Sequence, residues 1–313
     1  MAYFRKGKIS PSGLFIIAAI AAGSILYLES SKRPVDDPIR EQKVAAAEFM
    51  MQAMELVKEE RIKRGIPIDR EIDPNETGMI GDEYTDLTTS LGSLAAKRTS
   101  TNPNFAGVIV DMLHDAGVKP GDRVAVSFSG SFPALNIAVL SAIKTLKLNP
   151  VIISSIGASM YGANLEDLTW LDMEKTLREK RVFPFASVAA SLGGITSTKG
   201  ALFERGVEIG LDAIHRSGVM FIDEKGSDTL KNDISRRMAF YDKLFHGQKP
   251  AAYINVGGSL LALGNCPEAY GLPTGLLTQT PLSDHPDRGV IFRMNELGIP
   301  IVHLLNIKQI ATR

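Results

Sequence analysis

The sequence predicts an α/β protein: a mostly parallel, three-layer, Rossmann-like sheet domain, preceded by one N-terminal transmembrane helix and a helical linker. Three observations predict it. Short apolar runs rich in β-branched residues, at 124–128, 151–155, 219–222, 251–256 and 300–305, alternate with helical patterns of 12 to 18 residues. That alternation is the mark of parallel strands covered on both faces by crossover helices. Small-residue loops, "SFSGS" at 127–131 and "NVGGS" at 255–259, follow two of the runs. An uncharged stretch of 17 residues, 12–28, lies behind Arg5, Lys6 and Lys8, and reaches the lower limit of a membrane-spanning helix.

Taken in order, residues 1–33 form the tail and signal anchor. The small residues 18–23 lie inside the apolar run, and Glu29 to Arg33 follow it, which argues against a cleaved secretory signal. The basic residues before the helix slightly outweigh Lys32, Arg33 and Arg40 behind it. The positive-inside rule then puts the tail in the cytoplasm and the bulk of the chain outside it.

Residues 34–104 are expected to hold the helical linker and a polar Ser/Thr-rich segment. Within it, 39–64 reads as a helix of good helix formers. Val44, Ala47, Met51, Met54, Leu56 and Val57 approximate one apolar face, suited to a stalk, a dimerising helix or a helix packed on its own domain. Gly65 and Pro67 end it. Residues 66–104 show little periodicity beyond a short helical stretch within 85–97.

Residues 105–313 are expected to be the α/β domain. Helices are predicted over 105–116, 133–146, 168–180, 201–216, 228–245 and 290–297, with a further strand at 185–190. Open parallel sheets bind ligands beyond the carboxyl ends of their strands. The loops that matter are therefore 127–131, 154–162, 190–200, 223–227 and 255–259.

Composition narrows the partners. Lys plus Arg equals Asp plus Glu, 35 each, which gives no reason to expect nucleic acid. One cysteine, Cys266, excludes an intrachain disulfide framework and a cysteine-rich metal site. The five histidines have no metal-ligand spacing. No P-loop or G-x-G-x-x-G fingerprint is present, so neither a metal nor a cofactor is expected.

Two chemistries fit the loops. In the first, an anionic ligand meets Ser127, Ser129, Gly130, Ser131, Asn255, Gly257, Gly258 and Ser259, where helix N-termini offer free amides. Lys97 and Arg98, in "AAKRTSTN", and Lys199, in "TSTKG", would add cationic partners. In the structural alternative the serines only cap helices and the cations sit in solvent. In the second, Ser129 occupies a strand–turn–helix elbow as a nucleophile, with Asp223 as orienting carboxylate and His285 as base. Its flanks are Ser127 and Ser131 rather than the glycines of G-x-S-x-G.

"TGMIGDEYTDLTTSLGSLAAKRTSTNPNFAG", the anchor and "SFSGSFPALN" together resemble the poly-γ-glutamate system protein family over nearly the whole chain. The resemblance implies a bacterial cell-membrane accessory protein of poly-γ-glutamate capsule or exopolymer synthesis or export. Its partners would be the polymer or subunits of its synthase or exporter. The resemblance brings no catalytic residues. The alternatives are a serine amide hydrolase or transferase acting on the polymer, and a small anionic-ligand binding module.

Overall fold

A computed structural model of the chain describes residues 10–31, 37–193, 202–222 and 229–312. The chain divides into two compact units, Met1–Pro38 and Ile39–Arg313. The first contains one helix, α1 (Pro11–Ser31), with no buried residue. It is long and apolar enough to cross a membrane.

The second unit runs, in chain order, α2 (Arg40–Lys63), β1 (Thr88–Ser90), α3 (Leu94–Ser100), α4 (Asn104–Asp115), β2 (Arg123–Ser129), α5 (Pro133–Thr145) and β3 (Asn149–Ser155). Three two-residue strands follow, β4 (Ala158–Ser159), β5 (Asn164–Leu165) and β6 (Leu168–Thr169), then α6 (Trp170–Glu179). Next come β7 (Ala189–Ser191), α7 (Glu204–Ser217), β8 (Met220–Phe221), α8 (Leu230–Phe245) and β9 (Ala252–Val256). The chain closes with α9 (Leu260–Leu263), β10 (Gly275–Leu277), α10 (Val290–Glu296), β11 (Ile301–Leu304) and α11 (Ile307–Ala311).

Seven strands form one sheet in the order β10-β11-β9-β2-β3-β7-β8, parallel except for the edge strand β10. Successive residues of β2 feed two cores. Val124, Val126 and Phe128 pack with Met50, Ile109 and Leu135, while Ala125 packs with Tyr241, Tyr253 and Ile291. Burial on both faces is why β2, β3 and β9 read as unbroken apolar runs. From β2 the chain moves outward through β3, β7 and β8, then returns to the other side of β2 with β9 and β11. The strand order therefore reverses between β2 and β9, the position where open sheets leave a crevice for a ligand.

Residues 39–104 fold within this second unit, so residue 104 does not separate a linker from a domain. Helix α2 buries Ala46, Met50, Ala53, Met54, Val57 and Arg61, and packs on α4 and α5. Its buried stripe is displaced from the expected one: Val44 and Met51 are exposed. Arg61 lies on the buried stripe, and its guanidinium donates inward to Gly78 O (3.2 Å), Ile80 O (2.6 Å) and Pro67 O (2.8 Å). The segment after α2 is thus held by side-chain-to-backbone bonds rather than by periodic packing. Within 85–97, where a helix was expected, β1 pairs with β4 and only then does α3 begin.

Candidate functional site

A cavity of about 530 Å³ opens at the carboxyl edge of the sheet, over the point where the strand order reverses. Its floor and walls come from Ser129, Ser131 and Phe132 after β2, Gly157 and Ser159 after β3, Gly258 and Ser259 after β9, and Leu305 to Lys308 after β11. Residues 89–93 with Ala96 and Lys97 complete it. Among the described residues its charged lining residues are Lys97 and Lys308, and no carboxylate lines it.

Helix α3 carries Lys97 on its buried face with Ser100. The Lys97 side chain runs to the cavity floor, where Nζ donates to Ser159 Oγ (2.7 Å) and to the Ser131 carbonyl oxygen. The ammonium also lies 3.8 Å from the centre of the Phe132 ring. Lys97 is 3% exposed. Burial is the cause that lowers its pKa to about 7.

The serines after β2 bond to one another. Ser129 Oγ donates to Ser131 Oγ (3.0 Å) and accepts from Ser131 N (3.1 Å). Ser131 Oγ in turn accepts from Ser159 N (3.0 Å). Neither serine caps α5: its N-cap is Phe132, which has no side-chain cap, and Pro133 begins the helix. The capping alternative holds in the other loop, where Ser259 Oγ accepts from Ala262 N (3.2 Å). Gly130 is set by close approach, since a Cβ there would lie 2.6 Å from Ile156 O.

The remaining expected residues divide as follows. Lys97, Ser129, Ser131, Gly258 and Ser259 converge on the cavity. Ser127 and Asn255 are buried and line no part of it. Asn255 instead supports the loop from below, donating to Gly257 O (2.8 Å) and contacting His303 Nδ1 at 3.0 Å. Burial depresses the His303 pKa to about 4, so the ring is neutral at physiological pH. Arg98 turns away from the cavity and donates to Ile72 O (2.9 Å) and to Glu71 O. Lys199 and Asp223 lie outside the described residues.

Of the Ser129–Asp223–His285 trio, only Ser129 and His285 are among the described residues. His285 sits in the loop between β10 and α10, where its Nδ1 accepts from Asp287 N (3.2 Å) and its own amide donates to Ser283 Oγ (3.3 Å). The bond from Asp287 N ties the imidazole to its own loop, and His285 does not line the cavity with Ser129. Among the described residues, the titratable side chain that meets a serine hydroxyl there is Lys97, and the serine is Ser159.

Ser159 is the residue that sequence reasoning passed over. It falls inside the loop 154–162, but "GASM" carries neither periodicity nor a motif. Among the described residues no group of His, Cys, Asp or Glu side chains converges to hold a metal ion. Comparison of the chain with protein-family models, with curated proteins and with solved structures finds no match.

Proposed function

We propose that the chain is a membrane-anchored accessory protein of poly-γ-glutamate synthesis or export, whose domain binds a carboxylate-rich ligand in the cavity at the carboxyl edge of the sheet. In this reading α1 is a single-pass anchor in the cell membrane, and the three-layer, Rossmann-like domain lies on the extracytoplasmic side. Ligand and partner are the polymer itself or a subunit of its synthase or exporter.

What carries the reading is the lining of the cavity: among the described residues it offers hydroxyls from Thr89, Ser90, Ser93, Ser129, Ser131, Ser159 and Ser259, two lysines, and no carboxylate. A polyanion brought to such a surface meets hydrogen-bond donors, Lys97 Nζ among them, and the positive charge of Lys308. The near-neutral whole chain supports a local site over a broad electrostatic groove.

Calorimetric titration with a γ-linked glutamyl oligomer, beside the same oligomer as its methyl ester, tests the reading. Binding by the acid form, lost in the ester and weakened several-fold by Lys308→Glu or by raised salt, is the expected result. Equal affinity for acid and ester, or no heat and no thermal stabilisation by either, overturns it.

A further inference from the structure

We propose that Ser159 and Lys97 are a nucleophile–base pair, and that the cavity carries an acyl-transfer activity on amides. The substrate class, amides that bear carboxylates, rests on the anion-binding reading above; the pair itself does not.

Contact is the first support. Lys97 Nζ and Ser159 Oγ are 2.7 Å apart, within the range over which a neutral amine takes the proton of a hydroxyl. Enclosure is the second. Both side chains are buried, at 3% and 7% exposure, yet both line the open cavity. Here the groups around Nζ are the Ser131 carbonyl, the Ser159 hydroxyl and the face of Phe132. Lys308, exposed at the rim, is the other titratable group of the lining among the described residues. Burial, with no anionic group beside it among the described residues, disfavours the ammonium form, and the base is available near neutral pH.

Placement is the third. Three consecutive amides fix the nucleophile's backbone: Ala158 N to Leu87 O (3.1 Å), Ser159 N to Ser131 Oγ (3.0 Å) and Met160 N to Ser90 O (3.0 Å). Ser131 Oγ accepts from both Ser159 N and Ser129 Oγ. Two acceptances fill its lone pairs, so its own O–H remains a donor beside the nucleophile, where an oxyanion would form.

The reaction balances with water as the only co-reactant. Ser159 Oγ forms a bond to the amide carbonyl carbon as its proton passes to neutral Lys97. The tetrahedral intermediate collapses with cleavage of the C–N bond, and Lys97 returns the proton to the departing nitrogen, which leaves as an amine. The acyl group is then an ester of Ser159. Water attacks that ester, giving a proton to Lys97. The C–Oγ bond breaks, Ser159 regains its proton, and a carboxylic acid leaves.

The test is covalent labelling of the full chain in detergent micelles with a fluorophosphonate probe, the adduct located by peptide mass spectrometry. Labelling at Ser159 is expected, absent in Ser159→Ala and slowed about 100-fold or more in Lys97→Met. Because Lys97 is buried, the wild-type pH profile supplies a readout that needs no variant. The rate should climb nearly tenfold per pH unit below the lysine's pKa of about 7 and level off above it. No adduct, an adduct on Ser129 instead, or an unchanged rate in a folded Lys97→Met protein overturns the pair. Titration of the same preparation with a γ-linked glutamyl oligomer separates the two readings. Binding without labelling overturns the pair and keeps the anion site. Labelling without binding keeps the pair and overturns the carboxylate-bearing substrate.

Discussion

Gly257 backs directly onto Ser129: a Cβ at Gly257 would lie 2.8 Å from Ser129 Cβ and 3.2 Å from its Oγ. Gly257 also has φ +96°, a region that L side chains rarely adopt. Gly257→Ala therefore combines backbone strain with overpacking against β2. The expected cost is about 2–4 kcal/mol of unfolding free energy, read from urea denaturation. Ligand affinity should fall with it, because the displaced Ser129 carries Ser131 and the cavity floor.

How much of this was legible depends on what holds each part. Strands buried on both faces announce themselves: 124–128 and 151–155 each fall within an observed strand, and 251–256 contains all of β9. The edge strand β10 does not: three residues, Gly275–Leu277, pair antiparallel with β11 and carry no period to read. The segment 66–104 was opaque because its conformation rests on single long-range bonds. Asn164, for instance, accepts from Asp82 N (3.1 Å) and donates to Asp82 O (2.8 Å). Of the site, the edge of the sheet and five lining residues were legible. The meeting of Lys97 with Ser159 was not, because 62 positions separate them and no local pattern encodes a tertiary contact.

Asp172 and Arg216 join α6 to α7 through two bonds, Nε to Oδ1 (2.8 Å) and Nη2 to Oδ2 (2.7 Å). Burial pushes the Asp172 pKa up, but the bonds from Arg216 and Thr169 outweigh it, and the net shift is downward. A depressed carboxylate contributes stability that is present above its unfolded pKa and lost as pH falls through the folded value. Asp172→Asn should thus cost about 2 kcal/mol at pH 7, with Arg216 partly exposed. The gap between wild type and variant in urea should narrow markedly by pH 3.

Lys97 has the opposite sign. Its pKa falls from 10.5 unfolded to about 7 folded, so above pH 7 the unfolded chain binds the extra proton and stability rises with pH. The slope is at most about 1.4 kcal/mol per unit. Between pH 7 and 9 the stability difference between wild type and Lys97→Met should move in favour of wild type, measured by thermal or urea unfolding. A pH-independent difference would mean that the lysine is charged in the folded protein at neutral pH.

Glu174 is buried on α6, and burial raises its pKa to about 7. Its oxygens accept from Ser187 N (2.8 Å) and Ser187 Oγ (3.0 Å). Ser187 Oγ lies 2.6 Å from Ser154 Oγ, which accepts from Trp170 Nε1 at 3.2 Å. Between the unfolded value of 4.5 and the folded value of about 7 the native state holds the extra proton. Stability therefore falls as pH rises through that window. Glu174→Gln removes the ionisation and keeps the network: the amide oxygen accepts from Ser187 N, and the amide nitrogen donates to Ser187 Oγ, which donates onward to Ser154. The variant should match wild type near pH 5 and exceed it by about 1–3 kcal/mol at pH 8. Paired thermal melts at the two pH values decide it, and a variant less stable than wild type at pH 8 would show that the carboxylate is charged in place and held by its bonds to Ser187.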